Sequence, residues 1–151
     1  MKLMKHQLED AVFLASKKIA GCFSGMGSGK TLTALEAVHL VRNHVSEKVI
    51  IIGPPISLHM WAEEFETHLS AGLNGAQIIR TGKQMLDVTA DAYVMSYEIA
   101  TKRVEELKAL GAKVLICDES HALKSWDAKR TQAILGSTGL VEYVSHAWFL
   151  T

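Results

Sequence analysis

The sequence predicts an α/β fold, a three-layer sandwich with a mostly parallel central sheet flanked by helices. Three observations predict it. Short apolar runs alternate along the chain with amphipathic stretches, the pattern of successive βαβ units. Two of the runs, Val49-Ile50-Ile51-Ile52 and Val114-Leu115-Ile116-Cys117, are apolar at every position, as strands covered on both faces must be. Finally, Gly25-Met26-Gly27-Ser28-Gly29-Lys30-Thr31 joins an apolar run to an amphipathic one, so a strand passes into a helix through a glycine-rich loop.

The elements follow in order. Leu3 to Lys18 reads as a helix with Leu8, Val12 and Ala15 on one face. Ala20 to Ser24 is a short buried strand, and Thr31 to Asn43 a helix with Leu32, Leu35, Val38 and Val41 along one side. After the strand at Val49–Ile52, Gly53-Pro54-Pro55 ends the extended run. Ser57 is placed to cap the helix that carries Leu58, Trp61, Phe65 and Leu69. Strands are expected at Ala76 to Arg80 and Ala92 to Ser96, then a helix opened by Ser96 or Tyr97 with Ala100, Val104, Leu107 and Leu110. The strand at Val114–Cys117 is followed by a helix over Asp127 to Leu135 and a last strand over Ala147 to Leu150. No repeat or low-complexity tract interrupts the series.

Composition narrows the function classes. A length of 151 residues suggests one domain, 1–151. Hydrophobic residues make up 48%, and 16 basic side chains balance 16 acidic ones, which excludes a disordered chain. The same balance gives no basic excess of the kind a dedicated nucleic-acid module shows, so any such contact is local or shared with another domain or chain. Met1 to Asp10 is charged, without a secretory apolar core, and no apolar run approaches the ~18 residues that span a bilayer. A soluble, cytoplasmic protein is expected, with no membrane partner. Cys22 and Cys117, each in an apolar run, read as free buried thiols of a reducing compartment.

Two motifs carry chemistry. In the glycine-rich loop, glycines let backbone N–H groups converge on phosphate oxygens at a helix N-terminus. Gly25, Met26, Gly27, Ser28, Gly29, Lys30, Thr31 and Leu32 are therefore the candidate nucleotide-binding residues, with Lys30 reaching the β- and γ-phosphates and the Thr31 hydroxyl on Mg2+. The strict pattern has glycine where this chain has Ser24. The partner motif is Asp118-Glu119-Ser120-His121. Its strand delivers Asp118 to the carboxyl edge of the sheet, where ligands bind in open α/β folds. Asp118 is expected to hold Mg2+, and Glu119 to orient or deprotonate an attacking water. His121 is a candidate link between nucleotide and the rest of the chain, against a solvent-facing alternative. The remaining histidines and the cysteines show no metal-ligand spacing, and no zinc site is expected.

These motifs, in this order, resemble the first RecA-like lobe of superfamily II helicases, most closely the Swi/Snf-like DNA-dependent ATPases. The resemblance covers nearly the whole chain. Lys5-His6-Gln7-Leu8-Glu9-Asp10-Ala11 is similar to the family's upstream glutamine motif, which implies adenine recognition by Gln7. Gly25 to Thr31 is similar to motif I, with Ser24-Gly25 where the family has Asp-Glu. Val49 to Phe65 resembles motif Ia and Val94-Met95-Ser96-Tyr97-Glu98 motif Ib. Asp118 to Lys124 resembles motif II and its extension, and Ala147 to Thr151 the run into motif III. The resemblance implies ATP and Mg2+ as cofactors and a nucleic-acid partner, duplex DNA by analogy, with Pro55, Ser57, Ser96 and Lys124 as backbone contacts. Ser57 and Ser96 are equally readable as helix caps, and Trp61 reads as core. The family's second lobe, with arginines that complete its ATP site, does not follow Thr151 in this sequence, so weak hydrolysis is expected unless a second chain or copy supplies it. Arginine fingers contribute roughly 10³–10⁵ in rate in related NTPases. The alternative is a non-motor module that uses ATP as a structural ligand or switch. A small-molecule kinase is disfavoured by Asp118 to His121 and by the few arginines, Arg42, Arg80, Arg103 and Arg130.

Overall fold

Every strand of the sheet runs parallel to its neighbours. The computed structural model describes residues 3–22, 29–42, 47–69 and 75–151. Within them lie α1 (Lys5–Ala15), β1 (Ile19–Cys22), α2 (Lys30–Val41), β2 (Val49–Ile52), α3 (Leu58–His68) and β3 (Ala76–Ile78). These are followed by β4 (Ala92–Met95), α4 (Tyr97–Lys102), α5 (Val104–Ala109), β5 (Val114–Cys117), α6 (Lys129–Leu135) and β6 (His146–Leu150). The six strands are ordered β1-β6-β5-β2-β4-β3, all pairs parallel.

The two uniformly apolar runs are the central pair. Val49 lies opposite Val114, and Ile52 opposite Cys117, and all eight residues are buried. Because side chains alternate along a strand, Val49 and Ile51 join Leu35, Val38, Trp61, Phe65 and Trp148 in one apolar layer. Ile50 and Ile52 join Tyr93, Met95, Leu107, Leu115 and Ile134 in the other. Helices α1 to α3 thus cover one face and α4 to α6 the other. Leu58, Trp61, Phe65 and Leu69 are all buried, as the periodicity of α3 predicts. Both cysteines are buried. Burial, followed by the Asp118 charge, pushes the Cys117 thiol well above its usual range, which leaves it inert.

Three expectations change. The inner face of α1 is Gln7, Ala11 and Leu14, while Leu8 and Val12 are 45% and 59% exposed. The small Ala11 permits close approach to α2, and the Gln7 amide packs against Gly29. The helix therefore turns its larger aliphatic stripe outward. Between Ser96 and Leu110 the single expected helix is two, because Arg103 leaves helical geometry at φ −115°, ψ 21°. Its guanidinium donates to Glu106 at 2.7 and 3.0 Å and to the Thr81 carbonyl at 3.2 Å. Ser57 occupies the position before α3, but its hydroxyl donates to the Pro54 carbonyl at 2.9 Å instead of capping the helix. The expected residues Phe23 to Ser28, including Gly25, Met26, Gly27 and Ser28, lie outside the described residues.

Candidate functional site

The carboxyl ends of the parallel strands point to one edge, where open α/β sheets bind their ligands. Helix α2 begins there. Its N-cap, Gly29, has φ +75°, a left-handed conformation that glycine adopts freely, and a Cβ in its place would come within 2.0 Å of the Gln7 amide nitrogen. Gln7 is buried, and its Oε1 accepts from the Met4 backbone N–H at 2.8 Å. The first turn of α2 contains Lys30, Thr31 and Leu32, all half-buried, and no acidic residue. The partial positive charge of this helix end is thus unopposed from within its own first turn.

At the end of β5, Asp118 continues the parallel ladder by donating its backbone N–H to the Ile52 carbonyl at 2.7 Å. Its carboxylate is buried, with 4% of the side chain exposed, and one oxygen lies 3.0 Å from Lys30 Nζ. Glu119 follows with φ +51°, a left-handed conformation that costs an ordinary residue about 1–2 kcal/mol. Its backbone N–H donates to Asp118 Oδ1 at 3.0 Å. The reversal directs the chain into a 3₁₀ turn at Ser120–Leu123 and brings the Glu119 carboxylate onto Lys30. Lys30 and the two acids, 88 and 89 positions apart in sequence, form one cluster.

The electrostatics follow from that cluster. Burial opposes the Lys30 charge, but hydrogen bonds and ion pairs with Glu119 and Asp118 outweigh it and hold the ammonium above its usual range. The hydrogen bond from Lys30 holds Glu119 below the usual carboxylate range, against partial burial. One ammonium against two carboxylates leaves a net negative charge beside a helix N-terminus. That donor set suits a hydrated divalent cation carried by a polyphosphate. Magnesium is usually held by one or two carboxylates plus phosphate oxygens, not by an all-protein cage. Among the described residues no group of three His, Cys, Asp or Glu gathers as such a cage.

His121 is exposed, with Nδ1 3.6 Å from Glu119 Oε2. The four candidate nucleic-acid residues follow β2, β4 and β5 and share the same edge. Pro55 is exposed, Ser57 and Ser96 are half-buried and Lys124 is exposed. The Ser96 hydroxyl accepts from the Ile99 N–H at 3.2 Å and caps α4. A cleft of about 320 Å³ opens between these segments, lined by Pro54, Pro55, Ser96, Glu119, His121 and Arg130 among others. It sets the candidate nucleic-acid segments beside the Glu119 carboxylate.

Three side chains at this edge were not singled out for it by sequence. Trp61 donates its indole N–H to Asp118 Oδ2 at 2.9 Å. The Tyr97 hydroxyl donates to the Asp118 carbonyl at 2.7 Å, and burial, followed by the neighbouring Cys117, Asp118 and Glu119, pushes that phenol above its usual range. Arg130 lines the cleft. For Trp61 a signal existed: a fully buried indole usually finds an acceptor for its N–H, which a Leu or Phe on the same face would not need.

Residues 6–141 match the family described as the SNF2-related domain. The chain is 27% identical over 152 residues to the DNA repair and recombination protein RAD54B of Gallus gallus, covering 87% of this chain and 17% of that protein. It is 26% identical over 149 residues to the ISWI chromatin-remodeling complex ATPase ISW1 of Saccharomyces cerevisiae, covering 88% of this chain and 13% of that protein. The chain thus spans less than a fifth of these curated relatives. Among solved structures, the Sulfolobus solfataricus SWI2/SNF2 ATPase core in complex with dsDNA aligns with a TM-score of 0.78 at 18% identity, over 100% of this chain and 32% of that one. That likeness shows a shared RecA-like fold.

Proposed function

The chain belongs to the SNF2-related domain family, and from that premise we propose that it is the ATP-binding lobe of a Swi/Snf-like, DNA-dependent ATPase that binds Mg-ATP and hydrolyses it weakly by itself. The observation that carries the reading is the Lys30 ammonium at the N-terminus of α2, set against Asp118 and Glu119. On this reading residues 1–151 act as one lobe.

The geometry supports the following roles. Gly25 to Leu32 are assigned to the phosphates, Gly25 to Ser28 on the sequence motif alone, and Lys30 exchanges its carboxylate partners for the β- and γ-phosphate oxygens. Thr31 and Asp118 would hold magnesium, which would supply positive charge to neutralise those oxygens. Glu119, released from Lys30, orients the attacking water and takes up its proton. Gln7, packed against Gly29, recognises the adenine edge, and His121 beside Glu119 links the nucleotide to the cleft. Pro55, Ser57, Ser96 and Lys124 contact a nucleic-acid backbone, with duplex DNA the preferred partner. That preference draws on the dsDNA named for the Sulfolobus solfataricus ATPase core. Among the described residues no helix is long and apolar enough to cross a membrane, and cytoplasmic residence is part of this proposal.

Steady-state ATPase measurement with and without duplex DNA tests it. The expected result is a low rate raised by DNA, abolished in Lys30→Ala and lowered about 10²–10⁴-fold in Glu119→Gln, the range of a positioned proton acceptor. No binding of ATP or ADP at millimolar nucleotide would sink the proposal. Tight binding with neither turnover nor a DNA effect would select the non-motor switch instead.

A further inference from the structure

The geometry assigns Trp61 as a positioning residue that fixes the Asp118 carboxylate for magnesium through its indole N–H. The assignment rests on the reading of Asp118 as the magnesium-holding carboxylate. Trp61 sits on the inner face of α3 between Leu58 and Phe65 and is fully buried. Any large apolar side chain would fill that space. The indole adds one directed donor, and it reaches Asp118 Oδ2 at 2.9 Å.

The rest of Asp118 is held from other directions. Oδ1 accepts from the Glu119 backbone N–H at 3.0 Å and lies 3.0 Å from Lys30 Nζ. The Asp118 backbone N–H donates to Ile52 and its carbonyl accepts from the Tyr97 hydroxyl, both at 2.7 Å. Among the described residues, two of the three holds on the carboxylate are neutral and stay in place when Lys30 transfers to phosphate. Of these, Trp61 alone among the described residues holds Oδ2, so it sets the rotation of the carboxyl plane and leaves Oδ1 aimed at the space Lys30 vacates. Donors behind a metal-binding carboxylate act in this way, and their removal typically weakens metal affinity 10–100-fold.

Trp148 supplies the matched control. It is equally buried, and its indole nitrogen has no hydrogen-bond partner among the described residues. Burying an indole in this sheet therefore does not by itself deliver the N–H to an acceptor.

The experiment titrates MgCl2 against binding of the fluorescent nucleotide mant-ADP, for the wild-type chain, Trp61→Phe and Trp148→Phe. The expected result is a half-saturating magnesium concentration raised on the order of 10-fold in Trp61→Phe, with mant-ADP affinity in EDTA unchanged, and no shift in Trp148→Phe. Equal magnesium dependence in wild type and Trp61→Phe overturns the assignment. So does a shift of the same size in Trp148→Phe, which would mark a general loosening of the core. A wild-type chain that binds mant-ADP without any magnesium dependence removes the reading of Asp118 itself and the assignment with it. Should Trp61→Phe fail to fold, the 15N-indole resonance of Trp61 in the wild-type chain is followed through the same titration, identified by elimination with Trp126→Phe and Trp148→Phe. Movement that tracks magnesium saturation supports the assignment, and an unmoved resonance overturns it.

Discussion

Gly29 carries two separate constraints, and they can be taken apart. Its φ of +75° disfavours any side chain, at about 1–2 kcal/mol for an ordinary residue. The near contact with the Gln7 amide, 2.0 Å from an ideal Cβ, is steric and involves the end of a flexible side chain. Gly29→Ala is expected to destabilise the chain, and the same substitution in a Gln7→Ala background to destabilise it less, leaving the backbone part of about 1–2 kcal/mol. Urea unfolding of the four chains of that cycle checks this. An unchanged cost in the Gln7→Ala background would mean that Gln7 moves aside freely. Glu119 shows the same economy of backbone: one left-handed residue turns the chain so that adjacent acids in sequence both face Lys30.

At the scale of the element, α3 does two jobs with one face. Leu58, Trp61, Phe65 and Leu69 cover the central strands, while the Trp61 N–H reaches the candidate site. Phe65 shares the burial but touches no group of the Lys30–Asp118–Glu119 cluster through a hydrogen bond. Phe65→Ala is expected to lower stability by about 3–5 kcal/mol, the range for a fully buried aromatic, while leaving the magnesium dependence of nucleotide binding unchanged in the folded fraction. Denaturant unfolding gives the first quantity, and the mant-ADP titration gives the second. The strands position rather than touch the ligand: the register that sets Ile52 beside Cys117 places Gly53 and Asp118 together as they leave the sheet. A Cβ on Gly53 would stand 3.2 Å from Asp118 Cβ and 3.2 Å from Ser57 Oγ.

At the scale of the whole molecule, the site joins the ends of α1, α2, α3, α4 and β5 through Gln7, Lys30, Trp61, Tyr97 and Asp118, so a ligand there braces elements from both helical layers. Mg-ATP at 100 times its dissociation constant is expected to raise stability by about 2.7 kcal/mol. For a chain of this size that corresponds to roughly 5–10 °C in Tm. A thermal melt with Mg-ATP should show the increase, EDTA should reduce it, and Lys30→Ala should abolish it. A rise that persists in Lys30→Ala would place the nucleotide elsewhere.

Local pattern along the chain sufficed for the α/β class, the two central strands, the inner face of α3 and the choice of Lys30, Asp118 and Glu119 as candidate chemical residues. These are local properties: periodicity, uninterrupted apolar runs, and residue types at fixed spacing along one stretch of chain. The rotation of α1, where Ala11 and Gln7 face inward and Leu8 and Val12 outward, is set by packing, because it depends on how closely α2 approaches. The tertiary structure also decided the break at Arg103, which follows from partners at Glu106 and Thr81, and the second role of Trp61. An indole N–H has no sequence signature for its acceptor. Asp118 lies 57 positions away, and parallel pairing of β2 with β5 brings the two into reach.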